Sequence, residues 1–172
     1  MLLTVPVPFV HIVAFARDLG FSPSRGALAV SIVGLCAFIG SLSLGSLSDR
    51  IGRKQGLILS LTMHVVAYLS LIRAQSLTVL YCGAAAFGFF YGSMATLLTA
   101  LIGDLFGRRH AGAIAGFLFA WAGMLGAWGP MSAGYLRDTT GSYHLAFIYA
   151  VVTSIVSLLL FAVTPKPPPY PS

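Results

Sequence analysis

Six long apolar runs, each closed by a short polar cluster, organise this chain from end to end. They cover approximately residues 1–16, 26–48, 56–73, 77–103, 111–136 and 144–164. A helix needs about 20 apolar residues to cross the roughly 30 Å hydrocarbon core of a bilayer, and most of the runs reach that length. They are solid rather than alternating, which argues against a membrane β-barrel. In lipid an isolated run must satisfy its own backbone hydrogen bonds, so each is predicted to be a helix. The connectors read RDLGFSPSR (17–25), DRIGRKQ (49–55), AQS (74–76), DLFGRRH (104–110) and RDTTGSY (137–143). The first run is the odd one. It carries Pro6 and Pro8, has neither a basic flank nor a signal-peptide cleavage site, and reads as a helix whose first turns are missing. Residues 1–164 are expected to form one bundle, with 165–172 a Pro-rich tail that favours an extended, solvated conformation.

Composition sharpens this to a fold class. Of 172 residues, 58% are hydrophobic and 8% charged, with a mean hydropathy of +0.91, whereas a soluble domain carries about a quarter charged residues. The chain is therefore read as an all-α, polytopic integral membrane protein of six transmembrane helices, with the lipid bilayer as its first partner. The net charge of +6 then speaks of loop placement rather than of nucleic acid, since Lys and Arg collect on the cytoplasmic side. The second and fourth connectors and the tail share one face and carry Arg50, Arg53, Lys54, Arg108, Arg109 and Lys166; the opposite face carries Arg17, Arg25, Arg73 and Arg137. The denser face, and the C-terminus with it, is predicted to be cytoplasmic, in a plasma or inner membrane. Cys36 and Cys82 lie inside apolar runs and read as small buried hydrophobes. With no phosphate-binding loop, four dispersed histidines and four acids all at helix ends, no enzymatic activity, cofactor or metal site is expected.

Charge is concentrated at residues 45–54, GSLSDRIGRK. Gly45 near a helix end would let a neighbouring helix approach, Asp49 at the membrane boundary can accept bonds from an Arg or a helix N-terminus, and Gly52 permits a tight turn. Arg50, Arg53 and Lys54 would hold the loop at the cytoplasmic face. An echo follows 55 residues later, where Asp104, Gly107, Arg108 and Arg109 repeat the pattern Asp-x-x-Gly-Arg-basic. Inside the spans, His11 is the one ionisable group well within the first helix; it reads either as a substrate contact or proton relay or as a neutral ring bonded to a neighbouring helix. His64 reads as structural. Gly88 and Gly92, four apart, suit close helix packing, with Tyr91 between them a candidate for the substrate path. Gly123, Gly126 and Gly129 form a bendable stripe ending in a kink at Gly129-Pro130. Trp121 sits deeper than Trp128 and could face the path.

The stretch 45–54 fits G-x-L-[SA]-D-[RK]-x-G-R-[RK] and resembles a loop signature of the major facilitator superfamily. There it implies a latch whose acid contacts the opposite half of a twelve-helix transporter when the cytoplasmic side is shut. Residues 7–54 and 116–138 resemble the seventh, eighth and eleventh helices of the monocarboxylate and oxalate/formate branch. The resemblance implies a C-terminal six-helix half whose missing partner is the N-terminal half of the same transporter. Its function would be movement of a small organic acid by alternating access, possibly proton-coupled. Two departures stand out. Where parts of the branch carry an Arg and an Asp in the eighth helix, this chain has Ser41 and Ala37, and where oxalate/formate members carry a Lys in the eleventh, it has Ala122. The alternative reading is a membrane scaffold or assembly module that transports nothing.

Overall fold

The computed structural model describes residues 5–164, apart from the Arg108 side chain. Seven helical segments make up the described chain: α1 (Pro6–Asp18), α2 (Pro23–Ile51), α3 (Arg53–Ile72), α4 (Leu77–Phe106), α5 (Arg108–Gly126), α6 (Trp128–Thr140) and α7 (His144–Val163). Local sequence explains most boundaries. Pro6 and Pro23 open α1 and α2 at first-turn positions, where a missing N–H costs nothing. Ser76 caps α4 by accepting from the Val79 amide at 3.4 Å.

The expected fifth helix is one rod, 109–140, interrupted once. The rod breaks at Ala127, between α5 and α6. Pro130 explains the position: its ring cannot donate to the carbonyl four residues back, that of Gly126, and crowds it. The interruption at Ala127 lies within one turn of the Gly129-Pro130 pair. The charged connectors are also shorter than expected. Of residues 49–55 only Gly52 stands between helices, and of 104–110 only Gly107. Both adopt the same backbone, φ 94°, ψ 142° and φ 75°, ψ 154°, a region essentially closed to residues with a Cβ. The charges thus sit on helix ends, and one glycine in each connector turns the chain.

Among the described residues, five rods are long and apolar enough to cross a membrane: 23–51, 53–72, 77–106, 109–140 and 144–163. The first helix, as described, is 13 residues and shorter than a full crossing. α4 is the hub, packing along α2 and α3 and at its end against α5. α3 also packs on α7, and α1 leans on α2 and α6. The main core joins Phe15, Phe147, Tyr68 and Phe87 in a run of ring contacts, with Ile12 buried in the same cluster. A smaller cluster of Leu57, Leu61, Met94 and Leu97 lies nearer the charged turns.

The α2–α4 contact is a backbone contact. A Cβ on Gly88 would lie 2.2 Å from the Val33 carbonyl oxygen, one on Gly92 2.0 Å from that of Ala37, and one on Gly40 1.8 Å from that of Phe89. Lipid offers little hydrophobic force for pressing helices together, so such small-residue contacts set how closely they approach. Outside, the bundle is oily. Phe117, Trp121, Met124, Trp128, Met131 and Tyr135, spaced as one stripe along α5 and α6, are each more than half exposed. A surface of this kind belongs in lipid or under a partner.

The glycine contact yields a direct test. Gly88→Leu should lower the melting temperature of the chain in detergent, because the clash is with main chain that cannot step aside; overpacking of this sort costs about 1–3 kcal/mol or more. Gly116→Leu, placed where nothing lies within 4 Å of an added Cβ, should leave it unchanged.

Candidate functional site

Where α2 turns into α3, Arg53 is the centre of a small charged cluster. It pairs with Asp49 one turn back on α2 and, across to the end of α4, its Nε donates to Asp104 Oδ2 at 3.2 Å. A further N–H of the same guanidinium donates to the Gly45 carbonyl at 3.3 Å and to the Ser48 hydroxyl, itself buried. One planar, multi-donor group thereby ties the ends of two rods. Lys54 reaches in another direction and donates to the carbonyls of Ala162, at 3.1 Å, and Thr164 at the end of α7, where unpaired carbonyls and the helix dipole both favour a cation. The ends of α2, α4 and α7 consequently share one face of the bundle. Arg50 and Arg109 on that face are exposed.

The two Asp-x-x-Gly-Arg segments are brought side by side. Val33 meets Gly88 and Ala37 meets Gly92, each pair 55 residues apart, the spacing that also separates Asp49 from Asp104 and Gly52 from Gly107. α2 and α4 run parallel in that register, so the echo in sequence is an alignment in space. An added Cβ on Gly45 would make only an ordinary 3.4 Å contact with Thr96 of α4; within this chain the space at Gly45 is open, and its carbonyl is what the cluster uses.

Between α1, α4 and the α5–α6 break lies a cavity of about 480 Å³ on the side of the charged turns. Val10, Tyr91, Met94, Phe119, Ala122 and Pro130 are among its lining residues, and no charged side chain is. Two path candidates, Tyr91 and Ala122, therefore meet here. Tyr91 is held by the rings of Phe9 and Phe87, at 4.8 Å and 6.0 Å. The other four lie elsewhere. Ala37 is in the α2–α4 contact; the Ser41 hydroxyl bonds back to the Phe38 carbonyl of its own helix at 2.8 Å. Trp121 stands outside the cavity, more than half exposed and edge-on to Phe117.

His11 does not line the cavity either, and both its ring nitrogens are occupied. Nε2 lies 2.9 Å from the Pro130 carbonyl and Nδ1 3.0 Å from the Tyr143 hydroxyl. A carbonyl can only accept, so Nε2 carries the hydrogen and, in the neutral ring, Tyr143 donates to Nδ1. Burial raises the pKa of the Tyr143 phenol, which keeps it a donor. Nearby, Arg137 of α6 grips Asp18 of α1 with two bonds, 3.0 and 3.3 Å. His64 is fully buried, stacked on Tyr68 and edge-on to Phe87, and neither of its nitrogens hydrogen-bonds to another described residue.

The family model of the Major Facilitator Superfamily matches residues 1–172. The chain belongs to that superfamily. It is 33% identical over 149 residues to monocarboxylate transporter 13 of Rattus norvegicus, covering 84% of this chain and 34% of that protein. To monocarboxylate transporter 12 of Homo sapiens it is 31% identical over 156 residues, 88% of this chain and 30% of the relative. A probable galactarate/D-glucarate transporter of Escherichia coli is 24% identical over 154 residues. The chain thus spans about a third of the length of the curated relatives it matches. As a member of this family with rods long and apolar enough to cross a bilayer, it is an integral, multi-pass membrane protein.

Sequence reasoning missed Ser48, the α7 carbonyls under Lys54, and the Pro130 and Tyr143 partners of His11. For the first two the only signal is position near a charged helix end; for His11 the partners lie 119 and 132 residues away and no local pattern points to them. The Arg53–Asp104 pair can be tested by a double-mutant cycle. Arg53→Gln and Asp104→Asn, measured by thermal unfolding in detergent, should couple by about 0.5–1 kcal/mol, as expected for a pair exposed to water, and the coupling should shrink at high salt. Additive effects would show that the contact contributes nothing.

Proposed function

We propose that this chain is the C-terminal six-helix half of a secondary transporter that moves a small organic acid by alternating access, rocking against an N-terminal half around a path between them. The observation that carries this reading is the cavity beside the α5–α6 break, walled by α1, α4, α5 and α6. In this reading Asp49, Arg53 and Asp104 form a clasp that closes the cytoplasmic end, with Gly45 and Arg50 turned to the other half. Lys54 anchors the clasp to α7. Tyr91 and Ala122 line the path, and the proton is the coupling ion to test first. The protein would reside in the plasma or inner membrane with its C-terminus in the cytoplasm. Small organic acids are favoured because relatives across most of this chain are named for monocarboxylates and for sugar acids.

One observation favours the alternative, a membrane scaffold without transport: the cavity holds no cation, and a cation is the usual partner of a carboxylate out of water. Two measurements separate the readings. A cysteine at position 54 should react with a membrane-impermeant reagent from the cytoplasmic side alone; labelling from outside would overturn the orientation. In a two-half assembly reconstituted in liposomes, Ala122→Trp should abolish uptake of small monocarboxylates by filling the cavity, and this chain reconstituted alone should give no uptake above background. An assembly that takes up no organic acid at any imposed proton gradient would decide for the scaffold.

A further inference from the structure

The cavity owes part of its wall to the α5–α6 break: Gly123, Gly126, Ala127 and Pro130 all line it. On the α5 side of the break little holds the chain. Gly112, Gly116 and Gly123 have nothing within 4 Å of an added Cβ, and between Ala115 and Gly126, which ends α5 at the break, no residue is buried. The α6 side is held at its first and last turns. The Pro130 carbonyl takes the His11 Nε2 hydrogen at 2.9 Å, and Arg137 holds Asp18 at 3.0 Å. His11 in turn is fixed from behind by Tyr143, at the start of α7, at 3.0 Å.

We propose that His11 is a positioning residue for the cavity wall: by joining the Pro130 carbonyl to the Tyr143 hydroxyl it fixes the first turn of α6 against α1 and α7, and so sets the angle at which α5 leaves the break. The site asks for a side chain that donates to a carbonyl at one edge and accepts from a phenol at another, both at once. A neutral imidazole does this with two opposed nitrogens on a rigid ring; an aliphatic side chain of similar size does neither. His11 then acts on any solute through Pro130, and direct contact is not needed. α5, pivoting between the Gly107 turn and the pinned break, is the wall that responds. The consequence for transport rests on reading the cavity as the solute path; the geometric claim does not.

The test uses the full chain in lipid nanodiscs with Cys36 and Cys82 replaced by Ser. Spin labels at cysteines replacing Leu118 and Tyr135, exposed positions on either side of the break, report its angle as a distance distribution. In a separate protein, Ala122→Cys reports cavity access by its rate of thiol alkylation. The parent should show one narrow distribution. His11→Leu should broaden or displace it and change the alkylation rate by about fivefold, the factor that loss of one ordinary hydrogen bond would bring. His11→Gln, whose amide can still donate to the Pro130 carbonyl, should restore most of both readouts, a rescue that a role in packing alone would not show. Leu160→Ala, remote on α7, should leave both as they are. The proposal is overturned if His11→Leu matches the parent, or if His11→Gln behaves as His11→Leu does. Should His11→Leu fail to fold, Tyr143→Phe decides instead: it frees the ring from behind and must broaden the distribution, and an unchanged one is fatal. Neither readout requires transport, so a protein that moves no solute still tests the pin, and a functional transporter with an indifferent His11 refutes the pin alone.

Discussion

The approach of α2 to α4 is the contact from which the rest of the arrangement follows. In water, apolar side chains would drive two such helices together; in lipid that drive is nearly absent, and what remains is fit. Three glycines supply it by letting main chain rest on main chain at Val33, Ala37 and Phe89. Because these contacts cannot slide without a Cβ or a carbonyl in the way, they fix a register as well as a distance. That register puts Asp49 beside Asp104 and the Gly52 turn beside the Gly107 turn. Arg53 has two carboxylates to reach only because the glycines placed them there.

The charged cluster on its own is a weak fastener. Asp49 and Asp104 have 60% and 59% of their side-chain surface exposed, and pairs in such settings contribute on the order of 1 kcal/mol or less. In the proposed transporter, such weakness would suit a clasp that has to open. A contact of this size biases an equilibrium between two arrangements without locking either, since a shift of 1.4 kcal/mol is only tenfold. The strong and weak elements are also separated along the bundle. Glycine contacts and the ring cluster of Tyr68, Phe87 and Phe147 hold the middle, and adjustable polar contacts hold the ends of α2, α4 and α7 on one side and of α1 and α6 on the other.

Much of the fold was legible in the sequence because a bilayer imposes one dominant rule: solid apolar runs of crossing length become helices. The six runs are the six rods. What the runs did not disclose were the ends. Polar residues in 49–55 and 104–110 read as loop, yet at a membrane boundary a helix can carry its charges out into water and continue, so only Gly52 and Gly107 interrupt it. The interruption of the fifth rod was readable from Pro130, which disturbs the carbonyl one turn before it, so the helix assignment breaks at Ala127. Of the cavity, Tyr91 and Ala122 were reachable by reasoning; Val5, Met94 and Phe119 were not, since an apolar residue among apolar residues carries no mark of facing a void. His11 was noticed for its chemistry, and the bond to a neighbouring helix was one of its two readings; which residues it bonds only the tertiary arrangement supplies.

The lining of the cavity also limits what this chain can recognise. The family resemblance implies an Arg, an Asp and a Lys at positions that here are Ser41, Ala37 and Ala122. Ser41 spends its hydroxyl on its own helix, Ala37 belongs to the α2–α4 contact, and Ala122 offers a methyl group. In the proposed transporter, a carboxylate entering this space would meet apolar side chains and Tyr91, so a charge-bearing partner would have to come from the opposite wall, and this wall would select by shape and apolar contact. Discrimination of that kind is shallow, worth about 1–3 kcal/mol per methylene. It also depends on the wall holding its shape, which returns the argument to the break between α5 and α6. A cavity without directional bonds to its solute can be specific only to the extent that its own backbone is held still, and at Pro130 that hold is a hydrogen bond from His11.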